Sequence, residues 1–257
     1  VNALSSFMIV EIIRSGFLYR QEFSRGIAKT KLTKIETTKK SSGTSITFKP
    51  DDAIFGEGNS IIPDKIYQIL EYKSYLYGGV EIVWKCPENL IKDKDKTPNN
   101  KKLCYQEGLL EYIKFKTSNI ELYTSSFFGG NVKLNEETVE WVISWFNSGE
   151  TNFNETFCNT VPTPLGGSHE TGFRQALTKG MRTFAEIKGF KKANELIYDD
   201  LMHSSGSILS VFIKDPQFQG QTKEKLVNNS ASKLVETVVK DRFCLLYTSD
   251  AADDRSC

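Results

Sequence analysis

The sequence has few of the residues from which metal centres and disulfide frameworks are built. It contains only two histidines, and its five cysteines show neither a CxxC pattern nor a paired spacing. This composition argues against a zinc site or a disulfide framework, so we expect no metal ligands in this chain. Unpaired cysteines favour a reducing compartment, and we expect a cytoplasmic protein.

Long apolar runs and an excess of one charge are also missing. No run approaches the roughly 20 residues of a membrane span, and no signal peptide is visible, so we expect no membrane partner. The net charge is +1, so no overall basic field marks a nucleic-acid-binding protein. We therefore expect any DNA contact to come from local patches. The 257 residues, 39% of them hydrophobic, are enough to bury one or two cores.

Apolar periodicity and turn residues predict a mixed fold with two lobes, α+β or α/β. In the first lobe a Ser15-Gly16 turn joins two strands, and residues 29–42 form a polar loop or an edge ribbon. The other predicted elements of this lobe are a strand over 44–49, a helix over 64–77, a strand over 80–84, a charged loop over 92–102 and a short helix over 108–113.

The second lobe is predicted to begin near residue 114. The strand over 156–161 is expected to be the neighbour of the strand over 138–146. The remaining elements are predicted as a helix over 171–187, a shorter helix over 192–202, a strand over 208–213 and a helix from about Asn229 to Phe243.

The most informative segment follows the predicted strand that ends at Ile213. It reads Gln-Gly-Gln-Thr-Lys-Glu-Lys-Leu over residues 219–226 and precedes a helix. A flexible glycine, amide and hydroxyl groups and a lysine ammonium in such a place suit the capture of a phosphate. On its own the segment is a weak signal, because a loop rich in Gln and Lys is more commonly just a solvated surface loop.

A second motif lies about fifty residues earlier and reads Asn-Thr-Val-Pro-Thr-Pro-Leu-Gly-Gly-Ser-His-Glu-Thr-Gly-Phe-Arg over 159–174. Together the two motifs resemble the B subunits of bacterial type IIA DNA topoisomerases. Thr163–Glu170, Ala176–Thr178 and Gln217–Leu226 resemble the topoisomerase IV type more than gyrase, the nearest variant. The resemblance covers residues 1–243.

The resemblance implies an α/β fold with two family domains. Residues 1–113 resemble the C-terminal part of a GHKL ATPase domain, and residues 114–243 resemble the transducer domain, which is like ribosomal protein S5 domain 2. Residues 244–257 lose the helical apolar stripe and resemble a translated sequencing adapter. We expect this tail to be non-native, with a genuine flexible terminus as the alternative.

The resemblance also implies a nucleotide site for ATP. It places Lys223 on the γ-phosphate as the catalytic cation, with Gln221 beside it, and Gly43 and Thr44 beneath the adenine. Without the resemblance, Gln221 would be a loop-stabilising residue and Thr44 a residue chosen for strand propensity. Lys225 and the lysine run over 29–40 are expected to be solvated.

The glycine-rich motif is expected to open a helix. Two glycines permit a tight turn, Ser168 is expected to cap the helix, and His169 is interpreted as structural. On the same helix the resemblance implies that Arg174 and Arg182 contact DNA phosphates; the alternative is an ordinary solvated face.

The resemblance assigns the remaining machinery elsewhere. The general base, the Mg²⁺ ligand and the glycine-rich lid are expected upstream of Val1, the cleavage-metal domain downstream of Phe243, and the cleavage tyrosine in the A subunit. The sequence is thus predicted to belong to an ATP-hydrolysing type II topoisomerase subunit, an isomerase, that acts on DNA as a homodimer with the A subunit. This chain alone is expected to be inactive.

Two other functions stay open at this point. One is another GHKL clamp of the mismatch-repair or chaperone type, against which the Gly-Gly-Ser-His-Glu-Thr-Gly motif argues. The other is a nucleic-acid-binding module with an S5-like fold and no ATP role, against which the Gln-Thr-Lys loop argues.

Overall fold

The chain folds into two compact units, Val1–Ile66 and Tyr67–Cys257. The computed structural model describes residues 1–58, 61–93, 96–124, 126–147 and 152–253, with side chains up to residue 243. The unit boundary differs from the predicted domain boundary at 113/114, and the assignment of those domains stays a prediction.

Strands dominate the first unit, whereas the second combines strands with its longer helices. The strands are β1 (Ser5–Arg14), β2 (Phe17–Ser24), β3 (Ile27–Ala28), β4 (Thr33–Thr37), β5 (Gly43–Pro50), β6 (Ile82–Lys85), β7 (Asn100–Leu103), β8 (Phe128–Leu134), β9 (Glu137–Trp145), β10 (Phe153–Cys158), β11 (Val161–Pro162) and β12 (Ser205–Phe212). The α-helices are α1 (Asp52–Phe55), α2 (Pro63–Leu76), α3 (Leu109–Lys116), α4 (Ser168–Ile187), α5 (Tyr198–Met202) and α6 (Asn229–Asp253), and short 3-10 turns cover Asn2–Leu4, Glu88–Leu90 and Ala193–Glu195.

The first unit is built on an antiparallel sheet with strand order β3-β2-β1-β5, and β4 also pairs with β2. Ser15 and Gly16 join β1 to β2 with φ of 52° and 76°. This two-residue, left-handed turn matches the twist of a hairpin. The predicted hairpin is confirmed, and the polar stretch over 29–42 forms an edge ribbon through β4.

The second unit contains a five-stranded sheet of order β11-β10-β12-β9-β8. β10 runs parallel to β12, and β12 runs antiparallel to β9. The prediction that β10 neighbours β9 is therefore wrong, because β12 lies between them. A parallel pair needs a long crossover, which α4 and α5 provide before β12 enters the sheet.

Helices cover both faces of this sheet. Alternate residues of β9 and β12, such as Trp141 and Leu209, pack in one apolar cluster with Phe173 of α4 and Val235 of α6. Residues of opposite parity, such as Val142 and Ile208, pack in a second cluster that includes Leu76 of α2 and Ile113 of α3. The end of α2 and all of α3 therefore belong to the second unit.

Several predicted elements need correction. The helix predicted over 192–202 is split, because the Asp200 carboxylate accepts the Ile197 N–H at 2.9 Å and starts α5 afresh. The helix predicted to end at Phe243 continues to Asp253. β7 lies in the predicted charged loop, and β8 was not predicted, since Gly129 and Gly130 interrupt its apolar pattern.

Across the part of the chain that the structure describes, no helix is long and apolar enough to cross a membrane. Residues 254–257 and the side chains of 244–253 lie outside the described residues. The non-native origin of the tail over 244–257 therefore stays a prediction.

Candidate functional site

The segment between β12 and α6 folds back on itself as a closed loop. Phe218 and Leu226 form an antiparallel bridge at its base. The Gln219 N–H donates to the Lys225 carbonyl at 2.9 Å, just inside that bridge. Gly220 and Lys223 have φ of 83° and 59°, so two residues at the tip adopt a left-handed backbone conformation. The Gln-Thr-Lys segment is therefore a defined hairpin-like tip.

Main-chain hydrogen bonds join this loop to the start of α4. The Leu226 N–H donates to the Gly166 carbonyl at 3.1 Å, and the Ser168 N–H donates to the Leu226 carbonyl at 2.9 Å. Beside them, the Leu165 N–H donates to the Glu224 carbonyl at 3.1 Å. The two sequence motifs, separated by about fifty residues, thus form one structural unit.

The glycine pair is required by this contact. Gly166 and Gly167 have φ of 64° and 137°, where residues with a Cβ are strained. A Cβ on Gly167 would lie 2.2 Å from the Leu226 carbonyl oxygen. The predicted tight turn is confirmed, and its role is to bring α4 against the loop.

The predicted cap at Ser168 is wrong. Gly167 is the N-cap of α4 and makes no side-chain cap, while Ser168 is the first helical residue. The Ser168 Oγ is buried without a hydrogen-bond partner among the described residues. The Leu226 carbonyl satisfies the Ser168 N–H instead, so a distant main-chain group replaces the local cap.

Gln221 and Lys223 are exposed at the loop tip. The Lys223 Nζ lies 6.0 Å from the ring centroid of Phe218. No described residue hydrogen-bonds the Gln221 side chain, while Thr222 Oγ1 lies 3.2 Å from Glu224 Oε2. One ammonium and one amide NH₂ are therefore presented to solvent, a donor set that suits a phosphate oxygen.

Gly43 and Thr44 lie in the first unit, at the start of β5. They pair with Ile13 and Ile12 of β1 and are exposed. Both line a groove of about 430 Å³ that also includes Glu11. This groove belongs to the first unit, and the Lys223 loop belongs to the second.

Arg174 and Arg182 both have partners within the second unit. The Arg174 guanidinium donates to Glu170 Oε1 at 2.7 Å and lies 4.5 Å from the Tyr198 ring centroid. The Arg182 Nε donates to the Leu196 carbonyl at 2.8 Å. Neither is a purely solvated charge on the face of α4, and their predicted role on DNA stays a prediction.

His169 lies in the core beneath the glycine turn. It is fully buried, and its Nε2 lies 3.1 Å from the Thr163 hydroxyl, which lies 2.7 Å from the Thr156 hydroxyl. Burial lowers the pKa of His169 to about 4. A neutral, enclosed imidazole agrees with a structural role. Sequence reasoning missed this contact, because nothing in the sequence showed that Thr156 of β10 meets Thr163, which follows β11.

Acidic and sulfur-containing groups do not gather into a metal site in the described ranges. No cluster of three or more His, Cys, Asp or Glu side chains there could hold a metal ion. The donors at the Lys223 loop are cationic and amide groups, which fit an anion and not a cation.

Comparison with known proteins agrees with this geometry. The DNA gyrase B family model matches residues 108–252. The B subunit of DNA topoisomerase 4 from Rickettsia prowazekii is 41% identical over 252 residues, which cover 97% of this chain and 38% of that protein. The corresponding protein of Bartonella bacilliformis is 42% identical over 95% of this chain and 35% of its own length.

Two solved structures share the architecture. The 43K ATPase domain of Thermus thermophilus gyrase B, solved with an aminocoumarin, has a TM-score of 0.78 and 28% identity, covering 98% of this chain and 66% of that chain. The topoisomerase IV ATP-binding domain of Francisella tularensis, solved with an inhibitor, has a TM-score of 0.76 and 26% identity, covering 96% and 65%.

The fold is thus the mixed α/β fold of the ATPase regions of type II topoisomerases, and the predicted fold class is confirmed. The chain belongs to the DNA gyrase B family, which confirms the resemblance seen in its motifs. It spans about 38% of the length of the Rickettsia relative that it matches.

Proposed function

We propose that this chain is a fragment of the ATPase and transducer region of a bacterial type IIA topoisomerase B subunit of the topoisomerase IV type. In this proposal the region couples ATP binding and hydrolysis to the passage of one DNA segment through another in the complete enzyme. The observation that carries the proposal is the anchored loop with Gln221 and Lys223 at its tip, bonded through Leu226 to the start of α4.

Lys223 is assigned the terminal phosphate of ATP, with the Gln221 amide beside it. A fixed cation at the point where charge develops stabilises phosphoryl transfer, and such catalysis depends mainly on positioning. Gly43 and Thr44, on the rim of their groove, are assigned the adenine end. The Mg²⁺ that accompanies ATP would be held by ligands outside this chain.

The anchoring suggests how nucleotide state reaches the rest of the molecule. The loop is hydrogen-bonded to the first turn of α4. A movement of Lys223 toward a phosphate would therefore also displace that helix. α4 carries Arg174 and Arg182, which are assigned to the DNA backbone. In this proposal Arg182 exchanges its bond to the Leu196 carbonyl for a DNA phosphate.

The partners follow from the proposed function. They are DNA, the A subunit that supplies the cleavage tyrosine, and a second copy of this same type of chain in a homodimer. The complete enzyme would act in the bacterial cytoplasm.

The direct experiment uses the complete B subunit with its A subunit. We expect DNA-stimulated ATP hydrolysis together with ATP-dependent relaxation and decatenation of DNA, without negative supercoiling. Supercoiling would assign the gyrase type instead. ATP hydrolysis without any change in DNA topology would contradict the proposal as a whole.

A further inference from the structure

The outer edge of the first unit carries a concentrated positive charge. Residues 29–40, which we term the basic ribbon, contain five lysines and a single acidic residue, Glu36. The whole chain carries a net charge of only +1. The ribbon is therefore a local basic patch in an otherwise balanced protein.

The ribbon presents its lysines to solvent. Lys29, Lys31, Lys34, Lys39 and Lys40 are all exposed. None of the ion pairs found among the described residues involves them. The Lys34 Nζ lies 3.0 Å from the Phe17 ring centroid, which holds that side chain over β2. Arg174 and Arg182, in contrast, already have partners within the protein.

The backbone of the ribbon is fixed at both ends. Thr30 Oγ1 accepts the Glu22 N–H at 3.0 Å, and the Thr30 carbonyl accepts from the Gln21 amide at 3.0 Å. At the other end the Thr38 N–H donates to the Gly16 carbonyl at 2.9 Å. Between these points β4 pairs with β2. Lys34 therefore projects from a strand edge, with two of the lysines before that strand and two after it.

The lysines are spread along one edge of the sheet, from a bend at Lys29 to a bend at Lys40. The part of the ribbon between Thr30, which contacts Glu22, and Thr38, which contacts Gly16, lies along only six residues of the neighbouring backbone. At about 3.3 Å per residue this part spans roughly 20 Å, the length of about six phosphates along one DNA strand. Lysines contact phosphates as point charges and carry no donor pattern that would read a base. A ribbon of this length and charge matches the sugar-phosphate backbone of a duplex.

We propose that the basic ribbon is a DNA-contacting surface in the first unit that binds the backbone of duplex DNA without reading its sequence. This inference rests on the proposed function, because it assumes that the protein acts on DNA. It adds a contact surface separate from α4.

The test compares two variants of this 257-residue chain that lose the same number of positive charges. The ribbon variant replaces each of its five lysines with glutamine. The control variant makes the same replacement at five exposed lysines of the second unit, namely Lys92, Lys101, Lys191, Lys233 and Lys240. Fluorescence anisotropy with a labelled duplex of about 30 base pairs, between about 50 and 200 mM salt, gives the affinity and its salt dependence.

We expect the ribbon variant to bind the duplex at least about tenfold more weakly than the unmodified chain at about 50 mM salt. The slope of log affinity against log salt concentration should be smaller in magnitude by about 4. The control variant should stay within about twofold of the unmodified chain under the same conditions. Equal losses in both variants, or no loss in the ribbon variant, would overturn the proposal. Either result would leave ATP-dependent topoisomerase activity to be judged by its own assay, so the two failures are distinguishable.

Discussion

His169 shows at the scale of one residue how a polar side chain is retained in the core. Its Nε2 faces the Thr163 hydroxyl at 3.1 Å, while its Nδ1 has no partner among the described residues. An enclosed imidazole with one open nitrogen is costly to protonate, because burial disfavours the charged form. Its protonation state is therefore linked to folding.

The stability of the second unit should fall in acid because of this residue. The pKa of His169 is lowered to about 4 in the folded state, whereas an unfolded histidine titrates near 6.5. Between these values the unfolded state binds more protons, so the free energy of unfolding decreases as the pH falls. The free energy of unfolding falls by about 1.4 kcal/mol per pH unit between the two pKa values. The total loss of stability from this residue is on the order of 3 kcal/mol.

The check is a series of denaturant unfolding curves between about pH 7 and pH 4. We expect the stability difference between the unmodified chain and His169→Gln to shrink steadily over that range. His203→Gln is the matched control, because it replaces the other histidine at an exposed position. Parallel stability curves for the unmodified chain and His169→Gln would rule out this linkage.

Lys223 and Leu226 show which parts of the site could be predicted from the sequence. The residue types of the loop, a glycine, an amide and a lysine, led to the prediction of a phosphate-binding tip only together with the second motif, and that role stays a prediction. The main-chain bridge between Leu226 and Gly167 could not be predicted. It joins positions about sixty residues apart, and main-chain hydrogen bonds do not require particular residue types. The cap at Ser168 was mispredicted for the same reason.

At the scale of elements, α4 and α6 pack at very short range. A Cβ on Gly172 of α4 would lie 2.1 Å from the Ser232 carbonyl oxygen, and a Cβ on Gly180 would lie 2.7 Å from the Phe243 ring. The Lys179–Glu236 ion pair also links these two helices. Glycine is thus used in the interior of α4 for close approach, despite its low helix propensity.

Gly172→Ala tests this packing. Alanine should favour an isolated helix by about 1 kcal/mol, but the clash with the α6 backbone should outweigh that gain. We expect a net destabilisation of about 1–3 kcal/mol in chemical denaturation. Gln175→Ala, at an exposed position of the same helix, should change stability by less than about 0.5 kcal/mol. A Gly172→Ala variant as stable as the unmodified chain would show that the helices can separate without cost.

Local chemistry explains which elements were predicted correctly. The Ser15-Gly16 turn and the alternation of its strands are encoded over a few residues, and the hairpin was found. The order of β10, β12 and β9 depends on a crossover through α4, and periodicity does not record which strands pair. β8 was missed because Gly129 and Gly130 replace apolar side chains where the strand passes Trp141.

At the scale of the whole molecule, the chain by itself should bind nucleotide weakly. Lys223 and Gln221 are exposed at a loop tip, where water and salt screen their attraction for a phosphate. We expect the 257-residue chain to bind a non-hydrolysable ATP analogue with a Kd above about 1 mM. This corresponds to a favourable binding free energy of less than roughly 4 kcal/mol. It should also show no ATP hydrolysis. Titration calorimetry measures the affinity, and micromolar binding would mean that the chain contains a self-sufficient nucleotide site.

The central claim is that Lys223 acts on the terminal phosphate, and steady-state ATP hydrolysis by the complete B subunit tests it most directly. Lys223→Ala should lower turnover by about 10² or more, because it removes a positioned charge from the phosphate. The thermal midpoint should not change, since substitutions at exposed loop positions usually cost under about 0.5 kcal/mol. Lys225→Ala, on the same loop, is the matched control and should hydrolyse ATP within about twofold of the unmodified enzyme. Turnover near that of the unmodified enzyme in Lys223→Ala would contradict the account.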